Sequence, residues 1–79
     1  MAFYVYVLRS LKDGRFYIGM TNDLRRHLEQ HHSGKVRSTR NRRPLILIYT
    51  ESYSHRADAA KRERFLKAIL AEVVPTSSQ

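Results

Sequence analysis

The sequence predicts an α+β domain: a small three-stranded antiparallel sheet flanked by helices, in the order β-β-α-β-α. Three patterns predict it. They are two β-branched and aromatic runs joined by a turn signal, a later run of near-continuous apolar residues, and two segments whose apolar side chains recur at helical spacing. The chain has 79 residues, room for one core and no more, since a domain of this size buries only ~60% of its unfolded surface. That domain is expected over residues 1–74, followed by a polar tail at 75–79.

The first run, Phe3 to Leu8 (FYVYVL), and the second, Arg15 to Met20 (RFYIGM), flank Lys12-Asp13-Gly14 and read as a hairpin. Thr21 and Asn22 offer N-cap oxygens, Asp23 adds a first-turn acid, and Leu24 and Leu28 keep helical spacing. With Gly34 as the left-handed residue after the helix, this predicts a helix over about residues 22–32. Lys35 to Arg43 (KVRSTRNRR) holds five basic residues and reads as a solvated, positively charged loop closed by Pro44. From Leu45, LILIYTESY has the apolar continuity of a central strand. Ser54 is placed to cap a second helix carrying Ala59, Ala60, Leu66, Ile69, Leu70 and Val73.

Charge narrows the function classes. Fifteen Lys and Arg against seven Asp and Glu leave a formal net charge of +8 and a pI near 10.5, a field that attracts polyanions. A basic surface that merely aids solubility is the bland alternative. A membrane surface is the weaker rival, because no basic amphipathic helix with a wide apolar face is evident. The absence of cysteine excludes disulfides, zinc-thiolate sites and thiol nucleophiles. With no export or membrane-insertion signal legible, a cytoplasmic protein is expected.

Several polar residues fit a purely structural role poorly. Glu63 lies four residues after Ala59 and three before Leu66, which puts a carboxylate on or beside the packing stripe of the second helix. It is either a boundary glutamate paired with Arg or Lys, or a ligand for a hard cation such as Mg²⁺, which takes one or two carboxylates together with water and phosphate oxygens. Tyr4 and Tyr6 share one face of the hairpin, and cross-strand pairing can bring Tyr17 close to one of them. Packing explains such aromatics, yet their hydroxyls need partners if buried, and phenols can position or deprotonate water. His27 and His31 stand one helical turn apart, with His32 following. A zinc site lacks further ligands at fixed spacing, so partly exposed histidines on the side of a helix are the default.

The pairing of Tyr4-Val5-Tyr6 with Tyr17-Ile18-Gly19 resembles the two halves of the GIY-YIG signature, with Tyr4 at the glycine position of the first half. The match extends through Met20-Thr21-Asn22-Asp23-Leu24, a basic helix ending His31-His32-Ser33-Gly34, Arg43-Pro44, the strand through Tyr49, and Ala60-Lys61-Arg62-Glu63-Arg64-Phe65-Leu66-Lys67. This order is similar to that of the small stand-alone bacterial GIY-YIG proteins of the YhbQ-like group and covers Phe3 to Lys67. The resemblance implies a nuclease domain that cuts a phosphodiester with one divalent cation, Mg²⁺ or Mn²⁺, held by Glu63. It further implies that Tyr6 and Tyr17 orient or deprotonate the attacking water, that His31 stands near the scissile phosphate, and that Gly19 lets backbone and substrate approach closely.

One position departs from the family's pattern. The family's catalytic arginine follows the second signature tyrosine by ten residues, and His27 stands there. Arginine would hold a phosphate oxygen with a permanent charge and a fixed fork of donors, whereas histidine, with a reference pKa near ~6.5, is mostly neutral above neutrality. Arg26 projects about 100° away around the helix. Beside a third class, a protein-interaction domain using the exposed ends of its sheet, two readings follow: a metal-dependent endonuclease acting on DNA before RNA, with branched or distorted structures as candidate substrates as for relatives in repair and recombination, or a non-catalytic nucleic-acid-binding module on a nuclease framework. Under either, Arg25, Arg26, Lys35, Arg37, Arg40, Arg42 and Arg43 are the expected backbone contacts, and targeting comes from the chain's own loops or from a protein partner.

Overall fold

A computed structural model describes residues 2–73, so the tail expected at 75–79 lies outside the described residues. Strands β1 (Phe3–Ser10), β2 (Phe16–Thr21) and β3 (Leu45–Tyr53) form one antiparallel sheet in the order β2-β1-β3. Helix α1 (Leu24–Ser33) follows the hairpin and α2 (Arg56–Val73) ends the described chain, which is the expected order β-β-α-β-α.

Alternation along the central strand β1 divides the interior into two layers. Val5 and Val7 join Ile18 and Ala59 against α2, with Phe3, Phe16, Met20, Tyr53, Leu66 and Leu70 packed around them. Tyr6 and Leu8 face the other way and join Leu45, Tyr17, Leu24 and Leu28 against α1. The two helices therefore cover opposite faces, and full burial of a side chain such as Leu8 contributes about 1.5–3 kcal/mol.

Several expectations need correction. Helix α1 is capped by Asp23, whose carboxylate accepts from the Arg26 N–H at 3.2 Å; Thr21 is buried and instead accepts from the Asp23 N–H at 3.0 Å. Gly34 takes the left-handed conformation at φ 83°, as its place after the helix suggested. Helix α2 begins at Arg56, which leaves Ser54 outside the N-cap position, and Ile69 faces solvent rather than the core. β3 is an edge strand, not a central one. Only Leu45 of its apolar run is buried, whereas Ile46, Leu47, Ile48 and Tyr49 are exposed. Apolar continuity signals burial on both faces only when both faces are covered, and here β1 holds the central place.

The basic loop is not simply solvated either. It contains a 3₁₀ turn at Arg40–Arg42 and a fully buried Thr39. Carbonyls left unpaired at the end of α1 draw arginines back onto the helix: Arg40 Nε donates to Gly34 O at 3.0 Å, and Arg43 Nη1 to His32 O at 3.3 Å. At the hairpin end, the buried Ser10 hydroxyl donates to Arg42 O at 2.6 Å and accepts from the N–H groups of Lys12 and Asp13. This ties loop, hairpin and helix into one unit.

Candidate active site

The α1 face of the sheet gathers the polar aromatics. Tyr6 is 2% exposed, and its hydroxyl lies 3.2 Å from Nε2 of His31, itself 1% exposed. The other ring nitrogen, Nδ1, lies 2.8 Å from the hydroxyl of Thr39. Phenol, imidazole and threonine hydroxyl thus form a buried hydrogen-bonded chain linking β1, α1 and the loop. Tyr17 is half-buried, with its ring 6.4 Å from that of Tyr6 and 5.0 Å from that of His31. The ring of His27, also half-buried, lies 6.5 Å from Tyr6. His31 is therefore not the partly exposed histidine that its spacing suggested: one helical turn beyond His27, it faces the sheet where the loop closes over it.

Gly19 stands opposite Tyr6 in the strand register, and the space a side chain would fill is taken by the Tyr6 ring. A Cβ there would sit 2.5 Å from Cζ of Tyr6, and closer still to its oxygen. The absence of a side chain at Gly19 thus lets the phenol of the opposite strand approach closely.

Burial dominates the electrostatics. The Tyr6 phenol is pushed far above its ordinary value, first by desolvation and then by the neighbouring Tyr17 and the charge of Glu63. His31 is held below its ordinary value of 6.5 by desolvation and by His27 and His32, so the neutral imidazole prevails. A neutral ring carries one N–H: if Nδ1–H donates to Thr39, Nε2 accepts the phenol proton, and the other tautomer reverses both bonds.

Glu63 stands on α2, and its charge acts on the Tyr6 phenol. Its side chain is 20% exposed, and its ion-pair partner among the described residues is the exposed Lys67 at 3.4 Å, one turn along the helix. Tyr6, Tyr17, His27 and His31 are thus brought together, with Glu63 electrostatically coupled to them.

The expected phosphate contacts divide. Arg25, Arg26, Lys35 and Arg37 are exposed, as are Arg40 and Arg43, which brace the loop. Arg42 does not belong with them. It is half-buried, pairs with Asp13 at 3.4 Å and donates to Phe16 O at 3.4 Å, while its buried Nε lacks a well-aligned hydrogen bond. Sequence reasoning missed Thr39 and Ser10. Neither carries a spacing signal, because each contact depends on a loop folding back across the chain.

The family model for the GIY-YIG catalytic domain matches residues 2–71. A UPF0213 protein of Streptococcus pneumoniae is 45% identical over 65 residues, 81% of this chain and 65% of that protein. The UPF0213 protein YazA of Bacillus subtilis is 37% identical over 67 residues, 84% of this chain and 67% of its own. The chain spans about two thirds of the length of these relatives. The solution NMR structure of the UPF0213 protein BH0048 from Bacillus halodurans superposes with a TM-score of 0.54 at 38% identity, covering 86% of this chain and 72% of that one. The chain therefore belongs to the GIY-YIG nuclease family.

Proposed function

We propose that this protein is a divalent-metal-dependent endonuclease that hydrolyses phosphodiester bonds in DNA. The observation that carries the proposal is the buried Tyr6–His31–Thr39 chain, flanked by Tyr17 and His27 and sensing the charge of Glu63. A structural core has little use for three linked polar side chains beneath a basic surface, and desolvation makes each of them costly unless satisfied.

Hydrolysis needs an activated water, stabilisation of charge on the phosphoryl oxygens and relief of the leaving oxygen. A free Tyr6 phenolate is strongly disfavoured by burial. A hydrogen-bonded hand-over is less costly: Tyr6 receives a proton from water as its own proton passes to Nε2 of the neutral His31. Thr39 holds the imidazole through Nδ1. Tyr17 orients the water, and His27 donates a ring N–H to a non-bridging phosphate oxygen. Arg25, Arg26, Lys35 and Arg37 hold the flanking backbone, while Arg40 and Arg43 brace the loop.

The residues present suit one Mg²⁺ or Mn²⁺ at Glu63. A single half-buried carboxylate whose ion-pair partner is an exposed, displaceable lysine matches the preference of Mg²⁺ for one or two carboxylates completed by water and phosphate oxygens. Among the described residues no group of three or more His, Cys, Asp or Glu could hold a metal ion, so Glu63 would act with substrate rather than within a protein cage. When bound, the ion would neutralise charge on the phosphoryl and leaving oxygens.

The test is cleavage of branched, single-stranded and duplex DNA, and of RNA, by native protein and by Glu63→Ala, with and without Mg²⁺ or Mn²⁺. Metal-dependent cleavage lost in the variant is expected. Equal nicking by both proteins, or none by the native, would refute it. His27 at the family's arginine position favours a second reading, a nucleic-acid-binding module without turnover, served by a protein partner for targeting; it is supported if binding is salt-sensitive and cleavage absent. Among the described residues no helix is long and apolar enough to cross a membrane, and a cytoplasmic site of action is proposed with either reading.

A further inference from the structure

Glu63 and Arg62 are neighbours on α2 and point to different sides of it. At about 100° per residue, Ala59, Leu66 and Leu70 share one stripe, with Arg62 about 60° to one side and Glu63 about 40° to the other. Ala59 is fully buried and Leu66 and Leu70 pack against the sheet. Arg62 reaches β3, where Nε donates to Oε1 of Glu51 at 3.0 Å and Nη2 to Oε2 at 3.1 Å. Glu51 is itself held by the hydroxyls of Tyr53, at 2.5 Å, and of Tyr49. The guanidinium also lies over the Phe65 ring, 5.1 Å from its centroid.

Among the described residues these two bonds are the only side-chain hydrogen bonds between α2 and the sheet. Apart from the Arg56 guanidinium, which lies over the Phe3 ring at 5.5 Å from its centroid without a fixed fork of hydrogen bonds, the rest of the contact is apolar, and apolar attraction is non-directional, so the stripe alone tolerates small rotations of the helix about its axis. A bidentate fork onto a fixed carboxylate does not. We infer that Glu51, clamped by Tyr49 and Tyr53, is a positioning residue that sets the rotation of α2 through Arg62 and so aims the Glu63 carboxylate at the Tyr6 side of the site. The inference rests on the nuclease reading above. With side chains reaching ~5–6 Å from the helix axis, a rotation of ~10° moves the Glu63 carboxylate by ~1 Å, and a misplacement of that size costs on the order of 10²-fold in rate.

Glu51→Gln removes the ion pair at nearly constant volume, and Arg62→Lys keeps the charge while removing the fork. Two quantities are read for each at a temperature where the variant is folded: kcat for DNA cleavage, and Mn²⁺ affinity of the protein alone, from saturable broadening of the Tyr6 and Tyr17 ring resonances. Both variants are expected to lose roughly tenfold or more in kcat and about fivefold in Mn²⁺ affinity, with KM for DNA within about twofold of native. Variants that match native protein in both readouts, while only their melting temperatures fall, would overturn the positioning role and leave the nuclease reading standing. A native protein that neither cleaves nor binds Mn²⁺ would overturn both. Should Glu51→Gln fail to fold, Arg62→Lys decides the question alone.

Discussion

Replacing Gly19 with alanine tests the core of the site with one methyl group. The new Cβ would lie 2.5 Å from Cζ of Tyr6, whereas carbon atoms rest about 3.5–4.0 Å apart. The ring must therefore retreat by at least ~1 Å. Tyr6 is 2% exposed and has little room, so the overpacking costs about 1–3 kcal/mol. The bond to His31 at 3.2 Å does not survive such a shift: movement away opens it, and movement toward the imidazole compresses it. Its loss adds ~1 kcal/mol. The combined loss of about 2–4 kcal/mol leaves a protein of ordinary stability folded, which makes the variant measurable. Urea unfolding gives the stability, the imidazole resonances of His31 report the broken bond, and cleavage should fall on the order of 10²-fold from the displaced phenol. A stability change below ~0.5 kcal/mol with the His31 resonances unmoved would refute the packing argument.

Replacing His27 with arginine supplies a permanent charge and a donor fork at the family's position, and a charge-assisted hydrogen bond of ~1.5–3 kcal/mol predicts at least a tenfold rise in cleavage; no rise in kcat would show that His27 is not limiting. His31 titrates below 6.5 in the folded chain, so between its depressed value and 6.5 the unfolded chain binds more protons. Stability is then fully present above that window and is lost as pH falls through it. Urea midpoints from about pH 8 to about pH 5 should show this for native protein and less of it for His31→Asn, with cleavage falling on the same acid limb. Asp23→Ala removes the α1 cap and should cost ~1 kcal/mol in urea unfolding while leaving the pH profile of cleavage unchanged. Arg37→Gln should reduce the slope of log affinity against log salt by ~0.9 at unchanged stability, whereas Arg42→Gln should leave the slope unchanged and lower the melting temperature.

Much of the fold was legible because local signals agreed with the global arrangement. The hairpin, both helices and the β-β-α-β-α order follow from periodicity, turn residues and Gly34, all properties of neighbouring residues. The resemblance marked Tyr6, Tyr17, His27, His31 and Glu63, and the folded chain brings the first four together with Glu63 acting on Tyr6. What could not be read was set by non-local pairing. LILIY is apolar enough for a central strand, yet β1 takes that place because it pairs with both β2 and β3. Thr39 has no local mark, and only the return of the loop onto α1 delivers its hydroxyl to His31.

The basic residues carry the same lesson into function, since a count of charges treats each arginine as free. The unpaired carbonyls at the end of α1 compete with phosphate for those arginines, and they hold Arg40 and Arg43 because the loop keeps donor and acceptor covalently close. Asp13 and the Phe16 carbonyl do the same to Arg42. These bonds fold residues 35–43 over His31 and bury Thr39, and that burial favours the neutral imidazole, which on the proposed reading accepts the Tyr6 proton. On the proposed reading, part of the positive charge therefore serves nucleic acid indirectly: three arginines build the enclosure of the Tyr6–His31–Thr39 chain, while Arg25, Arg26, Lys35 and Arg37 meet solvent and the nucleic-acid backbone itself.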